Sequence, residues 1–143
     1  MTDSPDGVVA SVLVPVRNEE AHLHDTVAGL RALRFDEPVE FLLIEGGSDD
    51  GTRALLDELA RADPRIRVLD NRRRTVPCAL IVGLRHARGR FVVHFSAHAR
   101  YPPDYLAVAV ERLRRGDVAW VSGPQLAQGG GRWSPRGALA PGS

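Results

Sequence analysis

The sequence predicts an α/β fold in which a mostly parallel sheet is flanked by helices. Short, β-branched apolar segments alternate along the chain with segments whose apolar residues recur at helical spacing, which is the order of βαβ units. Proline and glycine residues separate the two kinds of segment. The length of 143 residues, with 43% apolar and 26% charged residues, is typical of one globular domain and unlike a disordered or coiled-coil chain.

The first strand and helix come from the start of the chain. Residues 8–16 are a β-branched apolar run, typical of a strand buried on both faces of a parallel sheet. Asn18 is predicted as the N-cap of the following helix, with Glu19 and Glu20 placing negative charge in its first turn. We expect this helix to end near Arg34. Its apolar residues at helical spacing are Leu23, Val27, Leu30 and Leu33.

The same alternation continues to about residue 121. Further strands are predicted at residues 39–44, 66–69, 91–95 and 118–121. Helices are predicted around residues 55–59, at residues 77–87, and from Pro102 through Leu113. Ligands of parallel sheets bind beyond the carboxyl ends of the strands, near the point where the strand order reverses. The polar residues after strands one, two and four are therefore the candidates for function.

Three regions are expected along the chain. Residues 1–7 are predicted to be a flexible N-terminus, and residues 8–124 are predicted to form the folded domain. Residues 125–143 are rich in glycine, lack a clear periodicity and contain no Asp or Glu. We expect this last region to be an irregular or truncated tail.

The charge pattern argues against a nucleic-acid partner. The net charge is only +1, although all 19 basic residues are arginine, so no overall field attracts a polyanion. The N-terminus lacks the basic and apolar regions of a secretory leader, and no run approaches the roughly 20 apolar residues of a membrane helix. We expect a cytoplasmic protein, with peripheral association at the inner face of the membrane as the alternative.

The segment at residues 45–52, Glu-Gly-Gly-Ser-Asp-Asp-Gly-Thr, follows the second predicted strand. A carboxylate at a strand end followed by two glycines lets the backbone pass close to a ligand. Glu45 is a candidate acceptor for the N–H of a nucleotide base or for ribose hydroxyls, and Asp50 is a candidate cap of the next helix. The alternative is a simple strand-to-helix turn with its caps.

A second polar turn, Pro-Val-Arg-Asn-Glu at residues 15–19, follows the first strand. Arg17 is a candidate to stack on a base or to pair with a phosphate, and the alternative is a solvated arginine. The same two alternatives are open for Arg74, in the arginine run at residues 72–74 after strand three. A dinucleotide-dependent oxidoreductase is disfavoured, because it would carry Gly-x-Gly-x-x-Gly after strand one.

In this order and at this separation, the two turns resemble those of the family-2 glycosyltransferases. That family reads Pro-x-(aromatic or Arg)-Asn-Glu and then Asp-(Asp/Gly)-Gly-Ser-x-Asp-Gly-Thr. The similarity continues through residues 87–90 and 101–105, covers about residues 8–124, and is closest to members that build bacterial exopolysaccharides such as succinoglycan. The resemblance implies a truncated Rossmann-like GT-A fold that binds a nucleotide-diphosphate sugar and transfers the sugar with inversion.

The resemblance also implies a site. The nucleotide-sugar-binding residues would be Pro15, Val16, Arg17, Glu19, Glu45, Gly47, Ser48 and Arg74. Among them, Glu45 would hold the nucleoside. The family uses a divalent cation, Mg²⁺ or Mn²⁺, held by carboxylates, to neutralise the diphosphate leaving group, and a carboxylate base to deprotonate the acceptor hydroxyl.

The end of strand four departs from the family pattern. Members carry Asp-x-Asp or Asp-Ala-His, and this chain carries Ser96, Ala97 and His98. Serine is a weaker, neutral ligand for a hard cation, so we expect reduced metal affinity. His98 and, more weakly, Ser96 are the candidate metal ligands, and a solvated loop histidine is the alternative for His98. His94, inside the strand, is predicted to pack in the core or across strands.

The acidic motif that supplies the general base in the family has no counterpart after Gly123, so no catalytic residue is assigned. The sequence therefore favours a fragment or truncated homologue of a glycosyltransferase of polysaccharide or glycolipid synthesis. It would depend on an acceptor domain or a membrane-associated partner. The alternative is a catalytically inactive GT-A-like module that binds a nucleotide or regulates an intact transferase.

Overall fold

The structure, a computed structural model, describes residues 7–116 and confirms the predicted α/β fold. Its strands are β1 (Ala10–Val16), β2 (Val39–Glu45), β3 (Ile66–Asp70) and β4 (Phe91–His94). Its helices are α1 (Leu23–Arg31), α2 (Thr52–Ala62), α3 (Val76–His86) and α4 (Tyr105–Arg115). The strands form one parallel sheet in the order β3-β2-β1-β4. The strand predicted at residues 118–121 and the predicted tail lie outside the described residues.

Both faces of the sheet are covered by helices, because the side chains of the central strands alternate between two apolar layers. In β1, Val12 and Val14 belong to the layer that α1, α2 and α4 cover, while Leu13 faces α3 on the other side. All three side chains are at most 1% exposed. This two-sided burial explains why the strand reads as a nearly continuous apolar run. The strand order reverses at β1, between β2 and β4, so the carboxyl ends of these three strands define the expected binding edge.

The predicted start of the first helix is wrong. Helix α1 begins at Leu23, with His22 at the N-cap position and no capping side chain. Asn18 has a left-handed backbone with φ of 51°, and its side-chain oxygen accepts a hydrogen bond from Asp49 N at 2.8 Å. Asn18, which the local sequence predicts as a helix cap, therefore forms its hydrogen bonds with the loop after β2. The helix begins five residues later, at Leu23. Its last residue is Arg31, three residues before the predicted end at Arg34.

A buried carboxylate holds the amino ends of the strands together, at the edge of the sheet opposite the binding edge. Glu40 is 4% exposed and accepts hydrogen bonds from Ser11 Oγ at 2.6 Å, Arg88 N at 2.7 Å and Arg67 Nη1 at 2.8 Å. Gly89 N in turn donates to Ser11 Oγ at 2.8 Å. The turn between α3 and β4 is thereby tied to β1 and β2. The motif at residues 87–90 thus has a structural role at the amino ends of the strands, away from the binding edge.

The Glu40 carboxylate is expected to make stability depend on pH. Burial raises the pKa of Glu40, but the hydrogen bonds from Ser11, Arg88 N and Arg67 outweigh burial and leave the pKa below its usual value. A lowered pKa in the folded state gives stability that is present above the unfolded pKa of about 4.3 and is lost as pH falls through the folded pKa. We expect Glu40→Gln to lower the free energy of unfolding by about 2 kcal/mol at pH 7 and by clearly less at pH 3.

Urea unfolding of the two proteins at both pH values measures this difference. Glu58→Gln is the matched control, because Glu58 is exposed on α2. If Glu40→Gln loses the same free energy of unfolding at pH 7 and pH 3, the negative charge of Glu40 does not contribute to stability.

Candidate functional site

The loops after β1 and β2 are joined to each other by residues of the two sequence motifs. Four hydrogen bonds make this clasp: Asn18 N to Ser48 Oγ (2.9 Å), Asp49 N to Asn18 Oδ1 (2.8 Å), Glu19 N to Thr52 Oγ1 (2.9 Å) and Gly51 N to Glu20 Oε2 (3.0 Å). All four span about thirty residues of sequence. Several polar motif residues are therefore used to hold the two loops in fixed positions at the binding edge.

Glu45 shapes its own loop. Its side chain is buried, and its two carboxylate oxygens accept hydrogen bonds from Gly47 N at 3.0 Å and Ser48 N at 2.6 Å. Gly47 has φ of 74°, a backbone conformation that favours glycine. Asp50 accepts from Thr52 N at 3.0 Å, but it precedes the N-cap residue Gly51, and α2 has no capping side chain. These contacts match a strand-to-helix turn, but the predicted cap role of Asp50 is wrong. Direct contact of Glu45 with a nucleoside stays a prediction.

A cavity of about 260 Å³ opens at the carboxyl ends of β1, β2 and β4. The predicted site residues that line it are Pro15, Val16, Arg17, Glu19, Arg74, Ser96 and His98. Glu45, Gly47 and Ser48 are not among its lining residues and lie in the loop beside it. The cavity therefore brings the first motif, the arginine run and the end of β4 together, while the second motif supports them.

The second of the two glycines after β2 makes room for Arg74. A Cβ atom added to Gly46 would lie 3.5 Å from Arg17 Cβ, and one added to Gly47 would lie 2.8 Å from Arg74 Nε. The Arg74 side chain therefore passes over Gly47, whereas Arg17 makes only an ordinary contact with Gly46, and both arginines line the cavity. Neither guanidinium has an ion-pair or hydrogen-bond partner among residues 7–116. Two unpaired guanidinium groups in one cavity are suited to bind an anion such as a phosphate.

Asn71 positions Arg74 and was not found from the sequence. It is 3% exposed, its N–H donates to Glu45 O at 2.8 Å, and its side-chain amide donates to Thr75 O at 2.8 Å. Arg74 N donates to Asn71 O at 3.2 Å, and Arg74 has a left-handed backbone with φ of 64°. This tight turn carries Arg74 toward the cavity. The neighbouring Arg72 and Arg73 are exposed, as Arg74 is, but only Arg74 lines the cavity.

Glu19 has a buried carboxylate, and one of its two oxygens lacks a hydrogen-bond partner among the described residues. The residue is 6% exposed, and its Oε1 lies 2.6 Å from Nε2 of His98, in the loop after β4. Its Oε2 is buried and has no hydrogen-bond partner among the described residues. A buried carboxylate oxygen without a donor is costly. Glu19 therefore has an acceptor to offer to a group that enters the cavity.

An aromatic cluster holds the loop after β4. The rings of Phe95 and Tyr101 stack with centroids 3.9 Å apart, and Tyr105 meets Phe95 edge-on at 5.6 Å. Ser96 N donates to the Tyr101 hydroxyl oxygen at 2.7 Å, and burial raises the pKa of Tyr101, so this phenol stays protonated. His98 N donates to Ser96 Oγ at 3.3 Å. The two candidate metal ligands thus lie on a loop fixed by packing.

His94 packs partly and also faces the cavity. Its Cα is paired with Leu13 across β1 and β4, and its ring lines the cavity beside Ser96. Burial lowers the pKa of His94, so the imidazole is uncharged at neutral pH. The predicted cross-strand position is therefore observed, and the side chain is closer to the site than the sequence indicated.

Residues 7–116 contain neither a ready cluster of metal-binding side chains nor a membrane-spanning helix. No group of three or more His, Cys, Asp and Glu side chains is arranged to hold a metal ion in this part of the chain. None of the four helices described here has the length and apolar character needed to span a membrane.

Comparison with known proteins identifies relatives. Residues 11–140 match the family model described as glycosyl transferase family 2. The succinoglycan biosynthesis protein ExoA of Rhizobium meliloti is 32% identical over 102 residues, covering 70% of this chain and 31% of the relative. The chain thus spans about a third of the length of the curated relatives it matches.

Two solved structures have a similar fold. The mannosyltransferase PcManGT from Pyrobaculum calidifontis, in complex with GDP-Man and Mn²⁺, is 30% identical with a TM-score of 0.66, over 78% of this chain and 34% of that chain. Glucosyl-3-phosphoglycerate synthase from Mycobacterium tuberculosis, with Mn²⁺, UDP and glucosyl-3-phosphoglycerate, is 25% identical with a TM-score of 0.55, over 77% and 41% of the two chains. These matches confirm the predicted fold and the predicted family resemblance.

Proposed function

The chain belongs to glycosyl transferase family 2, and from that premise we propose that its binding edge holds the nucleoside diphosphate of a sugar donor. One observation carries the proposal: Arg17 and Arg74, without partners among the described residues, line one cavity with the buried Glu19. A diphosphate is a dianion or trianion near neutral pH, and two guanidinium groups can each donate paired hydrogen bonds to it.

The other cavity residues suit the rest of a nucleotide. Pro15 and Val16 offer an apolar edge on which a base can lie, and the Glu19 carboxylate lines the same cavity. Glu45 acts on this site by ordering the loop that carries Gly46 and Gly47. We therefore propose that Pro15, Val16, Arg17, Glu19 and Arg74 contact the donor. For Glu45, Gly47 and Ser48 we propose a supporting role.

A divalent cation suits the same edge. Ser96 and His98 each present a donor atom toward the cavity, and a buried carboxylate oxygen lies with them as a negative group to balance a cation. The donor set is small, so Mg²⁺ or Mn²⁺ would take the remainder of its shell from diphosphate oxygens and water. When bound, the ion would neutralise the charge that develops on the leaving diphosphate. Two relatives crystallised with Mn²⁺ support this assignment.

A second, larger cavity adjoins the first. It has a volume of about 610 Å³ and lies between α1 and the loop after β4, with Ser96, Ala97 and His98 lining both cavities. We propose that the sugar of the donor lies at this boundary. Activation of the acceptor hydroxyl is assigned to an acceptor domain or to a membrane-associated partner. The complete protein would then transfer the sugar with inversion in polysaccharide or glycolipid synthesis on the cytoplasmic side of the membrane.

One feature favours a second function, that of a nucleotide-binding module without turnover. Ser96 stands where family members carry a metal-binding carboxylate. A weaker cation site would slow departure of the diphosphate more than it would weaken nucleotide binding, because the charge on the leaving group develops in the transition state. Binding and hydrolysis of the donor therefore separate the two functions.

Calorimetric titration with UDP, GDP and GDP-mannose, with and without Mn²⁺, tests the proposal. We expect one diphosphate to bind and the corresponding monophosphate to bind at least about tenfold more weakly, because it lacks one charged group for the arginines. Binding followed by release of sugar supports a transferase, and binding without release supports the module. If neither UDP nor GDP binds with or without Mn²⁺, the proposed function is wrong.

A further inference from the structure

We propose that Glu19 is a ligand of the divalent cation and, with His98, replaces the carboxylate that is missing at residue 96. This inference rests on the proposed function, because it assigns a cation to the same cavity. Ser96 supplies only a neutral oxygen, so a site built from Ser96 and His98 alone would hold a doubly charged ion without any negatively charged protein ligand. Glu19 is the acidic side chain among the residues that line this cavity.

The geometry around Glu19 supports the assignment. Glu19 Oε1 and His98 Nε2 are 2.6 Å apart, so the carboxylate and the imidazole already converge from two different loops. Glu19 Oε2 is buried without a partner, although a buried carboxylate normally has all its strong acceptor positions used. A cation bound to Oε2 would satisfy that oxygen, and a small separation of the carboxylate and the imidazole would let His98 Nε2 bind the same ion.

The loops that carry the two ligands are held in place by contacts of other groups, while the His98 side chain itself is 64% exposed. Glu19 N donates to Thr52 Oγ1 in the loop–loop clasp, so its backbone is fixed without using its carboxylate. The His98 loop is fixed through Ser96 N and the Tyr101 hydroxyl. Preorganised ligands that belong to separate loops lose little entropy when an ion joins them. The cation would therefore also tighten the contact between the β1 and β4 loops.

The mixed ligand set predicts a preference between metals. Mg²⁺ strongly favours oxygen ligands, whereas Mn²⁺ lies closer to the metals that imidazole binds well. We therefore expect Mn²⁺ to bind more tightly than Mg²⁺. Glu19 could instead accept a hydrogen bond from a ribose hydroxyl. In that case, replacing Glu19 would not change the affinity for the metal ion alone.

Proton NMR of the full chain with Mn²⁺ alone tests the assignment, because the paramagnetic ion broadens signals of nearby protons. We expect low amounts of Mn²⁺ to broaden the ring protons of His98 before those of His24, which is exposed on α1. In Glu19→Gln, the same broadening of His98 should need about tenfold more Mn²⁺. Glu58→Gln, an exposed control with the same chemical change, should behave like the wild type. Equal Mn²⁺ requirements for Glu19→Gln and the wild type would overturn the proposal.

A restored carboxylate provides the second test. Adding Ser96→Asp to Glu19→Gln should return the Mn²⁺ requirement to within about threefold of the wild type, because one negative ligand then replaces another. If circular dichroism shows that Glu19→Gln does not fold, Glu19→Asp replaces it in both experiments. We then expect a smaller loss of Mn²⁺ affinity and the same rescue by Ser96→Asp. Absence of rescue would refute a metal-binding role for Glu19. Nucleotides are absent from this experiment, so failure of UDP and GDP binding leaves its outcome unchanged.

Discussion

Replacing Arg17 and Arg74 together with glutamine is expected to weaken binding of UDP or GDP by at least about 100-fold, because each lost charge-assisted hydrogen bond costs about 1.5–3 kcal/mol. Both arginines line the cavity and their guanidinium groups have no partner among residues 7–116, so their charge is available to a ligand. Glutamine keeps part of the aliphatic stem and a polar end group and removes the charge. Isothermal titration calorimetry of the double variant against the wild type measures the loss.

Arg72 and Arg73 provide the matched control for this experiment. They are exposed neighbours of Arg74 in sequence but do not line the cavity. Replacing both with glutamine changes the net charge by the same amount, and we expect less than about a threefold loss of affinity, which salt should further reduce. A similar loss in both double variants would mean that diffuse positive charge attracts the nucleotide and that the cavity arginines do not bind it specifically.

Gly89→Ala is expected to destabilise the fold by about 3 kcal/mol, through overpacking and a lost buried hydrogen bond. A Cβ atom at Gly89 would lie 2.5 Å from Ser11 N and 2.7 Å from the carbonyl carbon of Ala10. Both atoms belong to the backbone of β1, which is paired with β4 and cannot retreat without disturbing the sheet. The hydrogen bond from Gly89 N to Ser11 Oγ would be strained as well. Urea unfolding at pH 7 measures the loss.

Gly29→Ala is the control for Gly89→Ala. Gly29 lies in α1, and a Cβ atom there would meet no other atom within 4 Å. Alanine is favoured over glycine in a helix, so we expect this variant to gain about 0.5–1 kcal/mol. If Gly89→Ala loses less than about 1 kcal/mol, the close approach of the α3–β4 turn to β1 is not the constraint that we describe.

The fold and the location of the site could be predicted from the sequence because both depend on local patterns. Buried parallel strands require continuous apolar runs, so β1 and β2 are visible as β-branched segments. The alternation with helices then requires a parallel sheet, and a parallel sheet places the residues after its strands at one edge. Arg17 and His98 lie in one cavity for this reason.

The sequence could not predict which motif residues hold the loops in place and which line the cavity, because this depends on contacts between distant loops. Asn18 has the local features of a helix cap, but its partners lie about thirty residues away in the β2 loop. Asn71 gives no motif signal, and its role follows from two backbone partners that only the folded chain supplies. The partnerless oxygen of Glu19 is likewise a property of packing. Sequence patterns identify the binding edge of the sheet. The contacts in the folded chain show which residues support the loops and which are free to contact a ligand.

Mapping of the bound nucleotide by ¹⁵N-resolved NMR tests the central claim most directly. UDP and GDP are added in turn to the labelled chain with Mg²⁺, and the change in each backbone amide signal is followed. We predict that the largest changes fall on Arg17, Glu19, Gly46 and Arg74, with Arg88 and Gly89 at the opposite edge unaffected. Saturable changes centred on the opposite edge, or none with either nucleotide, would contradict the assignment of this cavity to a nucleotide-sugar donor.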